Sequence, residues 1–144
     1  LGPYLLLLAL SIHSIFEGMV IGLESGTIRI INVIAAIAVH KWAAALAIGI
    51  SLSKSGLVNS GIYKLLAIFS SATPIGIILG IIISSEASPL ISGIFYSITV
   101  GTFLYIAASE VIVEEFAVSR YKYLKFAAFL SGVALVAVLM IYDN

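Results

Sequence analysis

The chain has 144 residues, of which 62% are hydrophobic and 10% are charged, and its 7 basic and 7 acidic residues give a formal net charge of zero. Together with a mean hydropathy of +1.22, this composition excludes an ordinary soluble domain and predicts a membrane protein. The balanced charge gives no support for nucleic acid as a partner, and the absence of cysteine excludes disulfides and thiolate metal sites.

Apolar stretches long enough to cross a membrane recur five times along the chain, since a helix needs about 20 residues to cross the hydrocarbon core. They run over about 4–23, 30–52, 64–83, 90–113 and 123–141. We therefore predict an all-α, polytopic transmembrane helix bundle that forms a single domain over residues 1–144 and is surrounded by the lipid bilayer. Because the chain begins with Leu1 instead of methionine, we also expect it to be a piece of a longer protein.

The basic residues of the loops are distributed unevenly between the two sides of the predicted membrane. One side carries Arg29, and the other carries Lys54, Lys64, Arg120, Lys122 and Lys125. Because cytoplasmic loops hold the excess of lysine and arginine, we predict that residue 1 is cytoplasmic and that the C-terminus is extracellular or lumenal. The sequence leaves open whether the membrane is the plasma membrane or that of an organelle.

Two pairs of glycines are each spaced four residues apart, Gly18 with Gly22 and Gly76 with Gly80. This spacing puts both members of a pair on one face of a helix, where the missing side chains let a second helix approach closely. We therefore expect close helix contacts in the first and the third stretch.

Histidine and glutamate interrupt the first two stretches near their centres, where hydrocarbon makes an unpaired charge costly. His13 and Glu17 are four residues apart, so a helix puts them on one face, and His40 lies at a similar depth in the next stretch. Two imidazoles and one carboxylate suit Zn²⁺ and also accept Fe²⁺, Mn²⁺ or Cd²⁺. The sequence therefore indicates either a divalent metal site or a buried hydrogen-bonded cluster.

Two further charged residues lie within the apolar stretches. Lys41 is too deep for its ammonium to reach an interface easily, which favours an ion pair with Glu17 or a fixed charge beside the metal site. Glu110 lies about one turn from the end of the fourth stretch, where a carboxylate can also simply reach water.

Four short motifs resemble the ZIP (Zrt-, Irt-like) family of divalent metal transporters. They are His13-Ser14 followed by Glu17-Gly18, similar to the fourth helix of that family; His40-Lys41, similar to the fifth; Thr73-Pro74-Ile75-Gly76, similar to the sixth; and Gly101-Thr102-Phe103-Leu104-Tyr105 with Glu110, similar to the seventh. The resemblance covers the whole chain in order. It also agrees with the orientation given by the loop charges, because the family places its C-terminus outside.

The resemblance implies eight membrane helices, of which this chain would hold the C-terminal five and the N-terminal part of the same protein the other three. It also implies that the metal ligands are His13, Glu17 and His40. Ser14 stands where other members have a ligand of a second site, Lys41 replaces an acidic ligand, and Ala44 stands where a bridging glutamate is found. One metal site is therefore expected.

We expect the protein to transport zinc or a related divalent cation toward the cytoplasm through this site, with no enzymatic activity and no fixed cofactor. Ser14, Lys41 and Glu110 are expected to be linked to transport, Glu110 as a proton-linked or exit-path carboxylate. One alternative is an intramembrane zinc hydrolase, although Ser14 replaces the general-base glutamate of a His-Glu-x-x-His motif. The other is a membrane subunit that transports nothing. The sequence leaves open the preferred metal, the coupling to protons and whether the protein is a homodimer.

Overall fold

The structure, a computed structural model, describes residues 2–85 and 87–142, and its regular elements over these residues are all helical. The helices are α1 (Gly2–Leu23), α2 (Thr27–Ser53), α3 (Asn59–Ser84), α4 (Pro89–Ile106), α5 (Val113–Ala117) and α6 (Lys122–Tyr142). A π-helical turn, Ala107–Ile112, joins α4 to α5 directly. The prediction of an all-α protein is therefore confirmed.

Within the described residues, four helical segments are long and apolar enough to cross a membrane. They are α1, α2, α3 and the continuous segment Pro89–Ala117, which contains α4, the π-helical turn and α5. This is the make-up of a multi-pass integral membrane protein. Helix α6 covers the predicted fifth span, and its crossing of the membrane stays a prediction.

Several helices begin before the apolar stretches that were predicted from hydropathy. Helix α3 begins at Asn59 and not at Lys64, and α2 begins at Thr27 and not at Ile30. The hydrogen bonds of a helix join backbone groups, so polar residues can continue it beyond the apolar segment that hydropathy identifies. Hydropathy therefore locates the part of a helix that fits hydrocarbon, while the helix ends depend on local backbone signals.

Two such signals lie at the connections around α1 and α4. Gly26, between α1 and α2, has a φ of 118°, a backbone conformation that glycine adopts without the steric penalty of a Cβ. Before α4, the Ser88 side chain accepts a hydrogen bond from the Ile91 backbone N–H at 3.4 Å, and Pro89 is the first helical residue. Serine as the cap followed by proline is a common way for a helix to begin.

The chain divides into two compact units, residues 1–107 and residues 108–144. In the first unit α1 is the central helix, because it packs most extensively against α3 and also contacts α4 and α2. Apolar residues of this unit form a core that consists of Leu6, Leu7, Leu10, Ile48, Leu52, Phe69 and Ile106. In the second unit α5 contacts α6, and Lys125 Nζ lies 3.1 Å from a Glu115 carboxylate oxygen.

The two glycine pairs lie where α1 meets α3. A Cβ built on Gly18 would overlap the backbone of Thr73 and press against that of Gly76, and a Cβ on Gly22 would press against the backbone of Gly80. The expected close approach is confirmed, and the two pairs face each other across one contact. Because α3 lies so near, the Thr73 side chain can reach polar groups that come from α1 and α2.

Candidate metal-ion site

His13, Glu17 and His40 come together in the first unit. His13 and Glu17 lie one turn apart on α1, and His40 of α2 approaches the same carboxylate. The Glu17 Oε1 atom lies 2.5 Å from His40 Nε2 and 3.8 Å from His13 Nε2. The side chains of His13 and Glu17 are 5% and 3% exposed, whereas that of His40 is 33% exposed. A buried carboxylate is thus flanked by two imidazoles, one of which borders an accessible space.

The hydrogen bond on the far side of His13 fixes the direction in which its free nitrogen points. Its Nδ1 lies 3.0 Å from the Thr102 hydroxyl oxygen, and that hydroxyl donates to the Ile98 backbone carbonyl at 2.8 Å. Since the hydroxyl proton is already engaged, the oxygen accepts from Nδ1–H, and Nε2 keeps its lone pair. Among the residues that the structure describes, no group hydrogen-bonds to this buried Nε2 atom. It is therefore a free ligand atom directed toward Glu17.

The second ring nitrogen of His40 is also anchored. Its Nδ1 lies 2.9 Å from the Ala36 backbone carbonyl oxygen, which can only accept, so Nδ1 carries a proton. In the neutral imidazole the Nε2 lone pair would then face the Glu17 oxygen at 2.5 Å, and two acceptors at that distance repel each other. A proton or a metal ion between them removes the repulsion. Anchoring of the second ring nitrogen by a carbonyl or hydroxyl is also the usual arrangement for a histidine that binds metal.

The dimensions of this group suit a divalent cation. One ligand atom from each of the three residues lies within 4.8 Å of the others. Zinc bonds of about 2.0–2.2 Å in a tetrahedral arrangement require ligand atoms roughly 3.3 Å apart, and the observed separations of 2.5 and 3.8 Å lie on either side of that value. Small side-chain movements would therefore complete the site, and three protein ligands leave room for water.

The Lys41 ammonium lies on the other side of the Glu17 carboxylate. Its Nζ donates hydrogen bonds to Thr73 Oγ1 at 2.5 Å, Ser14 Oγ at 3.2 Å and Glu17 Oε2 at 3.3 Å. It also lies 5.1 Å from the centre of the Phe69 ring, within range of a cation–π interaction. The two oxygens of Glu17 thus have different partners, since Oε1 faces the imidazoles and Oε2 faces the ammonium.

The structure brings five of the six candidate residues into contact with one another, namely His13, Ser14, Glu17, His40 and Lys41. Glu110 lies on the π-helical turn and belongs to the second unit. Sequence reasoning did not assign a role at this site to Thr73, Thr102 or Phe103. The Phe103 ring lies 5.4 Å from the His13 ring and 5.1 Å from the His40 ring. Two hydroxyls inside apolar helices were the signal that could have identified the threonines.

A cavity of about 310 Å³ adjoins the site between α1, α2 and α4. His13, Glu17 and His40 line it together with residues that lie progressively nearer the C-terminal end of α1, the beginning of α2 and the beginning of α4. Tyr96 is the lining residue of α4 that lies nearest the beginning of that helix. The candidate metal-ion site therefore opens into a space that extends toward the α1–α2 connection.

Residues 1–140 match the profile of a known family, whose description is ZIP Zinc transporter. Protein zntD from Dictyostelium discoideum is 41% identical over 118 residues, which are 78% of this chain and 17% of that protein. Zinc transporter ZIP1 from Homo sapiens is 33% identical over 138 residues, 94% of this chain and 43% of that protein. Zinc transporter ZIP2 from Mus musculus is 28% identical over 141 residues, 95% of this chain and 46% of that protein. No solved structure matches the chain.

This chain thus spans less than half the length of these relatives. The match to the family nevertheless covers nearly all of its residues, including the helices that carry the histidines and the glutamate. The chain therefore belongs to the ZIP family, which is a family of zinc transporters and not of hydrolases.

Proposed function

We propose that the protein containing this chain transports zinc, or a related divalent cation, through one site formed by His13, Glu17 and His40. The observation that carries the proposal is the convergence of two imidazole Nε2 atoms on one carboxylate oxygen inside apolar helices. An isolated ion in hydrocarbon would cost on the order of tens of kcal/mol. Two neutral nitrogens and one negative oxygen replace part of the hydration shell and so lower that cost.

The small number of protein ligands suits a site that must also release its ion. Structural zinc sites are closed by four protein ligands, whereas sites with three keep a position for water or another exchangeable ligand. The His40 side chain is 33% exposed. An ion can therefore reach this side of the site and replace its waters with protein ligands one at a time. The site is therefore suited to bind an ion that passes through, which makes zinc the cargo and not a resident cofactor.

The Lys41 ammonium supports the proposal that one ion is bound at a time. Ser14, Thr73 and the second oxygen of Glu17 form a set of oxygen ligands beside the metal site, and the ammonium already occupies it. A second divalent ion there would have to displace a hydrogen-bonded cation, or else bind within a few ångströms of it and be repelled. Lys41 thus acts on transport by holding Glu17 and balancing its charge, and Ser14 acts through its hydrogen bond to Lys41.

We further propose how the whole protein is oriented in the membrane. The chain would cross the membrane five times, with α6 as the last span. The loop charges support a cytoplasmic residue 1 and a C-terminus outside or in a lumen. Transport runs toward the cytoplasm, across the plasma membrane or an organelle membrane. Three further helices precede the chain, and Glu110 is a proton-linked or exit-path carboxylate near the cytoplasmic end of its helix.

Metal uptake by the full-length protein tests the proposal. His13→Ala, Glu17→Ala and His40→Ala should each nearly abolish zinc uptake at equal abundance in the membrane, since each removes one of three protein ligands. Ser71→Ala is a matched control, because this exposed hydroxyl bonds only locally to the Ile68 carbonyl. Normal uptake by any two of the three site variants would contradict the assignment.

A further inference from the structure

A second group of polar side chains lies beyond the end of α1, and one of its members, Tyr96, also lines the cavity of the metal ligands. The Tyr96 hydroxyl donates a hydrogen bond to Glu24 Oε2 at 2.6 Å, and Arg29 Nε lies 3.3 Å from Glu24 Oε1. The Glu24 side chain is 12% exposed, whereas that of Arg29 is 72% exposed. The mostly buried Glu24 carboxylate therefore has two partners, the Tyr96 hydroxyl of α4 and the exposed Arg29 guanidinium.

Tyr96 borders two cavities. On one side is the apolar cavity of about 310 Å³ that His13, Glu17 and His40 line, and on the other is a more polar cavity of about 640 Å³. Glu24, Arg29 and Ser92 line the second cavity, and Tyr96 lines both. Tyr96 is therefore the residue through which the cavity that Glu24 lines adjoins the cavity of the metal ligands.

We propose that Glu24 is an outer binding station for the divalent cation, on a route that passes Tyr96 and leads to His13, Glu17 and His40. The inference rests on the proposed transport function and adds a second, weaker site to it. The Glu24 carboxylate offers oxygen ligands, and the Ser92 hydroxyl belongs to a residue that lines the same cavity. Oxygen ligands suit a cation that keeps most of its water. The histidine-containing site then takes the ion when it loses that water.

The present partners of Glu24 can be exchanged for such an ion. Arg29 is mostly exposed, and an ion pair with an exposed partner contributes little to stability. A divalent cation brings twice the charge of the guanidinium and can therefore displace it. A cation that takes Glu24 Oε2 as a ligand also weakens the hydrogen bond that holds the Tyr96 hydroxyl. Arrival of the ion thus releases the Tyr96 side chain, which borders both cavities.

Equilibrium zinc binding to the purified full-length protein tests this station. The wild type should bind one tight equivalent at the metal ligands and one weak equivalent at Glu24. The His40→Ala variant should lose the tight equivalent and keep the weak one, and His40→Ala combined with Glu24→Gln should lose both. The station at Glu24 is overturned if the wild type binds no weak equivalent, or if weak binding persists after Glu24→Gln. Neither outcome affects the site of His13, Glu17 and His40.

Arg29→Gln separates ion binding from a purely structural role of this group. Both Glu24→Gln and Arg29→Gln break the same ion pair, so a structural role predicts that both act in the same direction. An ion station predicts opposite directions, because Arg29→Gln removes a competing cation and should strengthen the weak equivalent while Glu24→Gln abolishes it. Weakening of that equivalent by Arg29→Gln overturns the proposal even if Glu24→Gln fails to fold. If the wild type binds no tight equivalent, the site of His13, Glu17 and His40 is contradicted instead.

Discussion

At the scale of single residues, Glu17 is a carboxylate buried among apolar helices. Its two oxygens serve different partners, with two imidazoles at Oε1 and the Lys41 ammonium at Oε2. A buried carboxylate needs a compensating positive charge when no ion is bound, and Lys41 supplies one permanently.

Replacement of Lys41 by aspartate should change the number of metal ions that bind tightly. In Lys41→Asp the ammonium is gone, and the carboxylate of the new aspartate would join Ser14, Thr73 and Glu17 Oε2 as ligands. We therefore expect two tight zinc equivalents in place of one. Lys41→Met should keep one equivalent and lower the stability of the protein by roughly 3 kcal/mol, since it leaves a buried charge without its partner. Metal analysis of the purified protein gives the count, with the exposed Lys64→Ala as control. Two tight equivalents in the wild type would refute the idea.

The hydroxyl of Thr102 should matter through His13. Thr102→Val keeps the shape of the side chain but removes the acceptor for Nδ1–H, so the imidazole loses the contact that orients it. Loss of such a contact lowers metal affinity by about 10–100-fold. Thr102→Ser retains the hydroxyl and should restore most of the affinity, measured as zinc binding to purified protein. Equal affinity of the valine and serine variants would show that the orientation of His13 does not depend on this bond.

At the scale of helices, the contact between α1 and α3 determines how the site is assembled. The glycines of both helices remove side chains from the contact, and α3 then lies close enough for Thr73 to bond to Lys41. Lys41 comes from α2 and bonds to Ser14 and Glu17 of α1 as well. The Lys41 ammonium therefore bonds to side chains of α1 and α3 as well as belonging to α2, and the spacing of α1 and α3 depends on glycines.

A methyl group at Gly76 should weaken both the fold and the metal site. In Gly76→Ala the added Cβ would overlap the Ile15 backbone carbonyl, and overpacking of this kind costs about 1–3 kcal/mol. Helix α3 would move away from α1 and take Thr73 with it, so zinc affinity should fall as well. Gly49→Ala is the matched control, because no described atom beyond its own helix and neighbouring residues lies within 4 Å of its added Cβ. Thermal unfolding in detergent should distinguish the two variants, and equal midpoints would contradict the packing argument.

At the scale of the whole molecule, the number of membrane crossings fixes which side each loop occupies. Gly56, with a φ of 75°, lies in the connection between α2 and α3. The test uses cells that carry the protein at their surface. In these cells an antibody should reach a peptide tag inserted directly after Gly56 only after permeabilisation. A tag after Asn144, a residue outside the described part of the chain, should be reached in intact cells. Tags found on the same side would show that α6 does not cross, and a reversed pattern would overturn the orientation and the direction of transport.

The sequence predicts the helices and the grouping of His13, Glu17 and His40 because both depend on local patterns. Hydropathy identifies the apolar stretches, and a spacing of four residues puts two side chains on one helix face. The partners of these groups depend on how each helix is rotated and how closely the helices approach each other. A local sequence pattern does not determine either quantity. Thr102, Thr73 and Phe103 therefore emerged from the structure, as did the π-helical turn around Glu110.

The backbone contact between α1 and α3 also has a mechanical consequence. Packed helices usually slide past each other by small rotamer changes of the side chains between them. Gly18, Gly22, Gly76 and Gly80 provide no rotamers to change, so α1 and α3 should behave as one stiff lever that carries Glu17 and Thr73 at a fixed separation. Sliding within the first unit is then confined to the surfaces that α2 and α4 present to this lever, where side chains can repack. Those surfaces are also the walls of the cavity that contains the histidines.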